Sequence, residues 1–445
     1  MTSQKRAGLI WVLLCTGISV LWGTAIARGG NAWIDFRAVY AGTRCLIHRH
    51  NPYRVAELER EYASEDGQRP PRTPDYLQGV TLYVNVPTTF LVVAPFALLG
   101  WGPAHALWML LTGGVFILAI LLMWSAGSSY APRVATCLAC IVAVSCESIF
   151  AAGNTAGLVV GLCGIAVWCF LENRWVRAGV ICLAIALAIK PHDAGLVWLY
   201  FLLAGGVNRR RALRSLWITA ALGLAAGVWV SAVAPGWAHD WSANLATISA
   251  PGGINNPAPD SFSGHSVYMV VDLQAAISVF RDNPRLYNPV SYLLCGTLLL
   301  VWSIWTLRTG FSVRRAWMAL PVAIALSLLI TYHRPWDAKL VILAIPACCM
   351  LWAEGGRVAR EALAITIAAT LFAGEIALSV FKTIADGLRL GTAGFGHQLL
   401  TVILIRPESI ALLAMGIFYL SLYLKEGTLR GKTAHCDAIA SMAGC

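Results

Sequence analysis

The sequence predicts an all-α, polytopic membrane protein, and three observations carry that prediction. Of its 445 residues, 58% are hydrophobic and only 12% are charged, whereas a soluble globular domain carries about a quarter charged residues. Apolar runs recur from end to end, with a mean hydropathy of +0.67. The connections between those runs are basic on one side of the chain's course and long and polar on the other. Lipid offers no partner to a backbone N–H or C=O, so such runs fold as helices whose bonds close within each segment. The formal charge of +11 belongs to the basic loops of a membrane protein, and no nucleic-acid partner is expected.

About twelve spans follow from the runs and their flanks: 7–27, 103–124, 134–151, 155–171, 178–190, 193–206, 215–233, 289–307, 316–331, 338–353, 363–381 and 409–424. The first, within KRAGLIWVLLCTGISVLWGTAIAR, starts basic and ends in a signal-peptidase-like AIA. It reads as a retained span, because its apolar run is longer than a usual signal core. The runs 178–190 and 193–206 fall short of the ~20 residues of a normal crossing and read as half-buried helices or a hairpin around Lys190 and Pro191. Cys137 and Cys140 form a CxxC inside an apolar run without polar surroundings, which suits packing rather than a metal or redox site.

The charges orient the spans. SSYAPR, ENRWVR, NRRRALR, RTGFSVRR, EGGRVARE and KEGTLRGK each set Arg or Lys beside a membrane end, the positive-inside pattern of an N-in, C-in chain. Everything belongs to one integral membrane domain, 1–445, with a first outer loop at 28–102, a second at 234–288, a third outer region at 382–408 and a cytoplasmic tail at 425–445. Chemistry is therefore sought on the outer face, where loops ride on a rigid scaffold.

The first outer loop opens with Asp35, just past the first span. In FRAVYAGTRCLIHRHNPY the apolar residues recur at helical spacing, with Arg37, Arg44, His48 and Arg49 on the other side. This predicts an amphipathic interfacial helix able to meet lipid phosphates, ended by Asn51-Pro52. A polar helix RVAELEREYASED, a proline-rich link GQRPPRTPDY and a short apolar helix at 87–99 follow. Further polar groups sit at outer membrane ends: Asn154, Lys190 with His192 and Asp193, and Tyr332 to Asp337. Taken singly, Asp35 also suits a helix N-cap, Lys190 also suits snorkelling, and His333 and Arg334 also suit interface anchors. Taken together, Lys190, His333 and Arg334 share a face with one prominent carboxylate, an arrangement that holds a phosphate near a general base. No carboxylate cluster has metal-ligand spacing, so no metal and no cofactor are expected.

The blocks DFRAVYAGTRCLIHRHNPY, YVNVPTTFLVVAPFALLGWGPAHALW, GNTAGLVVGLCGIAVWCFLENRWVRAGVICLAIALAIKP and YHRPWDAKLVILAIPA resemble glycosyltransferase family 87, membrane transferases of the GT-C superfamily formerly grouped as DUF2029. The first block is the most specific: Asp35-Phe36, Tyr40, the small pair Ala41-Gly42, and Asn51-Pro52-Tyr53. The second departs from the Tyr-Pro-Pro of many members, having Val84, Asn85 and Val86 between Tyr83 and Pro87. The resemblance implies a polyprenyl-phosphate sugar as donor and an acidic residue of the first outer loop, matching Asp35, as general base. Cationic contacts to the donor phosphate match His333 and Arg334 in character and side, with Lys190 beside them. Tyr40, Asn85, Asn154, Tyr332 and His265 are candidate substrate contacts.

The function expected is inverting transfer of a hexose, mannose foremost, to a lipid or glycan acceptor hydroxyl on the outer face of a bacterial plasma membrane, among membrane lipids. Trp237, Trp241, Asn244, Asn255 and Asn256 of the second outer loop suit cover for a sugar acceptor and equally suit an ordinary loop. The rival reading is a secondary transporter or a flippase-type permease. Glu147 and Glu375, near or inside apolar runs, are its best support, although no repeat relates the two halves.

Overall fold

A computed structural model describes residues 2–27, 34–64, 82–259, 261, 270–388 and 394–442, with side chains to residue 426. Every regular element among them is helical. The helices are α1 (Ser3–Ala27), α2 (Ile34–Ile47), α3 (Val55–Ser64), α4 (Thr88–Ala97), α5 (Trp101–Gly127), α6 (Pro132–Val144) and α7 (Glu147–Ala152). They continue with α8 (Thr155–Leu171), α9 (Val176–Ile189), α10 (Pro191–Leu203), α11 (Gly206–Val233), α12 (Trp237–Ser249), α13 (Leu273–Ser278) and α14 (Pro284–Arg308). The last are α15 (Val313–Ile330), α16 (Pro335–Ala338), a 3-10 turn (Lys339–Ala344), α17 (Ile345–Glu354), α18 (Gly356–Phe372), α19 (Glu375–Gly387), α20 (Phe395–Ile405) and α21 (Pro407–Met442).

Eight helical segments among the described residues are long and apolar enough to cross a bilayer, or nine when the bent pair α18–α19 counts as one. The expected twelve is not reached because α8, α9 and α10 have 17, 14 and 13 residues, below the ~20 of an untilted crossing. The expected span 363–381 is corrected: α18 and α19 meet at 81°, with Gly374 between them. A Cβ on Gly374 would lie 2.6 Å from the Ser145 side chain, so only a bare backbone passes there. The span near 338–353 is present but tightens into 3-10 form ahead of Pro346, which has no N–H to continue an α-helical ladder. The expected tail at 425–445 continues α21 as helix to Met442.

Burial sorts the bundle. The segments 313–330 and 335–354 are almost wholly enclosed, whereas α1, α11 and α14 are largely open. Their open side chains are apolar, including Trp11, Leu21, Trp217, Leu224 and Leu293, as lipid-facing helices require. Inside, α8 runs against α5 on a small-residue seam. A Cβ on Gly161 would meet Phe116 N at 2.9 Å, and one on Gly164 would meet Ala119 Cβ at 2.8 Å. Small residues at such a seam let two helices approach closely. This seam fixes the N-terminus of α8, where Asn154 stands.

Helix α2, expected as an amphipathic interfacial helix, is packed into the protein. Nine of the fourteen residues of α2 are buried. Arg44 and His48, expected to meet lipid phosphates, face Glu61 of α3 instead, at 3.0 and 2.9 Å. A carboxylate on the neighbouring helix outcompetes a solvated headgroup because its position is fixed by the fold. Phe36 stacks on Trp108 and Trp101, with centroids 4.8 and 5.6 Å apart, and this pins α2 to α5. Gly42 leaves room for the Tyr83 ring, which a Cβ would meet at 2.6 Å. The Asn-Pro-Tyr corner also has a mechanical basis. Asn51 Oδ1 accepts from Tyr53 N at 3.0 Å, its Nδ2 donates to Asp240 of α12 at 2.7 Å, and the Tyr53 hydroxyl donates to Asn85 O at 3.0 Å. Asn244 of α12 donates to Tyr53 O and Tyr83 O at 2.9 and 3.0 Å, so α12 is tied to the Asn51-Pro52-Tyr53 corner and to Tyr83.

Candidate active site

Asp35 stands in the first turn of α2, half-buried. Its Oδ2 accepts from Asn154 Nδ2 at 2.8 Å. Asn154 is held by its own role as N-cap of α8, with Oδ1 accepting from Ala156 N at 2.7 Å. Gly153 before it turns left-handed at φ 63°, and its carbonyl accepts from Trp108 Nε1 at 2.8 Å. One amide thus caps a helix with its oxygen and grips a carboxylate with its nitrogen. Burial raises the pKa of Asp35, and the Asn154 hydrogen bond and the charges of Arg334 and Lys190 pull it back down.

Those two cations come from distant parts of the chain. Lys190 lies at the break between α9 and α10, where Pro191 starts the second helix. Its Nζ is 2.5 Å from Asp337 Oδ1 and 4.0 Å from Asp193 Oδ2. Arg334 is the N-cap of α16, with its N–H donating to Asp337 Oδ2 at 2.9 Å. Its guanidinium lies 5.5 Å from the Tyr332 ring centroid and 5.7 Å from that of Trp336. Nη2 donates to Ile254 O at 2.6 Å and to Asn255 Oδ1 at 3.2 Å, and Nε donates to the Tyr332 hydroxyl. Asp337 therefore positions both cations at once, a role the sequence did not disclose.

His333 is fully buried. Its Nδ1–H donates to Thr331 O at 2.8 Å, and Nε2 lies 3.0 Å from Asp193 Oδ1. It meets Asp193, which also faces Lys190 at 4.0 Å.

Residues 83–331 match the sequence profile of glycosyltransferase family 87, which is more than half of the 445 residues. The chain belongs to glycosyltransferase family 87. It is a multi-pass membrane glycosyltransferase, and a sugar donor and an acceptor come with that assignment. No curated protein matches the chain. The matched stretch includes Asn154 and Lys190 and stops short of Asp35 on one side and Tyr332 on the other.

Within this family 87 enzyme, the predicted residues divide. Asp35, Asn154, Lys190, Arg334 and Tyr332 form one connected electrostatic and hydrogen-bonded group. Tyr40 is fully buried, its hydroxyl donating to Leu99 O at 2.8 Å and accepting from Arg44 at 3.2 Å, which is a packing place. Asn85 is half-buried and receives the Tyr53 hydroxyl on its carbonyl. His265 lies outside the described residues. Asn244 and Trp241, which suited an acceptor cover and an ordinary loop equally, donate to the backbone carbonyls of Tyr53 and Val84. Glu375 pairs with Lys339 at 3.0 Å and accepts from Ser148, an interhelical bond that holds the bent segment. Sequence spacing also gave no sign that side-chain atoms of His192, Asp193 and His333 converge within 4.8 Å of one another, because two are neighbours in the chain and the third is far along it.

Proposed function

We propose that the protein transfers a hexose, mannose foremost, from a polyprenyl-phosphate sugar to a lipid or glycan hydroxyl on the outer face of a bacterial plasma membrane. The observation that carries this reading is the meeting of one carboxylate, Asp35, with the field of two cations, the buried Arg334 and the partly buried Lys190. An acceptor hydroxyl is a weak nucleophile, and Asp35 takes its proton as the new bond forms. The acceptor oxygen bonds to the anomeric carbon while the bond from that carbon to the phosphate oxygen breaks. The electron pair leaves with polyprenyl phosphate, and Arg334 and Lys190 meet the charge that grows there. A base on one face of the sugar and cations on the other suit a single displacement through an oxocarbenium-like state, so configuration inverts. His333 supports this group through Asp193, which faces Lys190. The short α4, which carries Pro95 inside it, and the α9–α10 break at Lys190 suit the edge of a lateral groove for the prenyl tail.

The test is a donor panel offered to membranes containing the enzyme, with glycolipids extracted. Product from polyprenyl-phosphate sugars, and none from nucleotide sugars when prenyl carriers are absent, is the expected result. Transfer straight from a nucleotide sugar would overturn the reading of the donor.

Asn154 supplies a second test. Its hydrogen bond favours the Asp35 carboxylate, and a bond to a charged group contributes roughly 1.5–3 kcal/mol. Asn154→Ala should lower kcat/KM by about 10- to 100-fold. Asp35 acts as base only when ionised, so activity falls as pH drops through its pKa, already above that of an ordinary aspartate. Losing Asn154 removes a lowering influence, so the acid limb of the pH–rate profile should move to higher pH. An unmoved limb would detach Asp35 from the titration that limits the rate.

A further inference from the structure

Asp193 and His333 are both fully buried, and neither carboxylate oxygen of Asp193 nor Nε2 of His333 has a hydrogen-bond partner among the described residues. The two meet at 3.0 Å, yet the ring nitrogen is not aligned on the oxygen. His192 Nε2 reaches the same Asp193 Oδ1 at 3.6 Å. Two imidazoles and a carboxylate thus converge on one point, where a common partner would satisfy all three. We propose that His192, Asp193 and His333 bind one divalent transition-metal ion of the Zn2+ class.

The spacing fits. With metal–ligand bonds of about 2.0–2.1 Å in a tetrahedron, neighbouring ligand atoms lie roughly 3.3 Å apart, and the observed 3.0 and 3.6 Å bracket that value. The ligand set fits as well, since imidazole nitrogen selects Zn2+-like ions over Mg2+ and Ca2+, which take oxygen. An outer shell is already in place. The His333 Nδ1–H bond to Thr331 O at 2.8 Å fixes the tautomer and leaves Nε2 with a free lone pair, as in metal-ligating histidines. Ser327 Oγ donates to the His192 carbonyl at 2.6 Å, which steadies the first turn of α10. The His192 side chain is 40% exposed, so it offers an entry path and an open fourth position. Lys190 stands 4.0 Å from Asp193 Oδ2, but its charge is directed to Asp337 at 2.5 Å.

An ion there would add positive charge behind Lys190, on the side assigned above to the donor phosphate. That role rests on the transfer reading. The site itself does not, because its test reads metal rather than sugar. Full-length, tag-free protein in detergent is stripped with chelator, equilibrated with Zn2+ or Co2+, and assayed for metal content and for the visible absorption of Co2+. About one tightly held ion per chain is expected, with a tetrahedral or five-coordinate Co2+ spectrum. His192→Ala removes the half-exposed ligand, so the chain should still fold and bind at least about tenfold more weakly. His239→Ala, at an exposed histidine beside Asp240, should change nothing. Metal-free thermal unfolding equal to wild type confirms that His192→Ala is folded. Metal retained equally by wild type and His192→Ala, or by neither, would overturn the proposal and leave His333 and Asp193 as an ion pair.

Discussion

Asp35→Asn is expected to cut sugar transfer by about 10²- to 10⁴-fold, the range a positioned general base contributes, while leaving the protein folded. The two halves of that expectation have separate causes. Transfer fails because an amide cannot accept the acceptor's proton, whereas the shape of the site and the cations at Lys190 and Arg334 persist. KM for the donor should therefore change little, and the loss should appear in kcat. The fold persists because of the sign of the pKa shift. Burial raises the pKa of Asp35, so the folded state favours its neutral form. Its stabilising influence is full below the ordinary carboxylate pKa and declines as pH rises through the raised one. Wherever it is ionised, the carboxylate costs stability, and asparagine relieves that cost. Thermal unfolding in detergent at pH 7 should place Asp35→Asn at or above wild type. Product made at the wild-type rate would remove Asp35 from the chemistry. A strongly lowered unfolding temperature would make the lost activity structural.

Lys190→Met is expected to have the largest effect on stability. It leaves Asp337, 1% exposed, without its ammonium partner at 2.5 Å. Removing one partner of a buried pair costs about 3–5 kcal/mol, far more than the pair contributes, because the remaining charge stays buried and uncompensated. Lys190→Arg should not fully replace it, since a planar guanidinium does not occupy the place of a compact ammonium. The double variant Lys190→Met with Asp337→Asn tests the reasoning. It removes the stranded charge and keeps an oxygen to accept from Arg334 N, so unfolding temperature should recover most of the loss. Transfer should remain impaired, because one of the two phosphate-side cations is still missing. Recovery of both stability and transfer would confine Lys190 to a structural role.

How far the sequence reached depended on the range of the interaction involved. Membrane helices were legible because an apolar run needs no partner to declare itself. The lipid requires it to satisfy its own backbone, so length and composition suffice. The short α9 and α10 and the helix α4 lie where the local signals put them, whereas α2 stops at Ile47, ahead of the Asn51-Pro52 stop the sequence offered. The bend in α18–α19 was not legible. It depends on the Gly374 backbone passing Ser145 and on Glu375 reaching Lys339, and both contacts cross long stretches of chain. For the same reason an uninterrupted hydropathy run looked like one straight span.

The candidate site shows the same division. Asp35, Asn154, Lys190 and Arg334 were each visible as polar groups out of place at a membrane edge, because a charge there is costly enough to need a reason. The sequence by itself determined the membrane-helical class, the family resemblance and this set of residues, since each rests on local composition or on a motif read in order. Only the tertiary structure decided who meets whom. It joined Asp35 to the cap of α8, set Asp337 between two cations, turned Arg44 and His48 onto Glu61, and buried His333 against Asp193. Pairing of side chains far apart in the chain is set by helix packing, and one chain's linear order contains no distance between them.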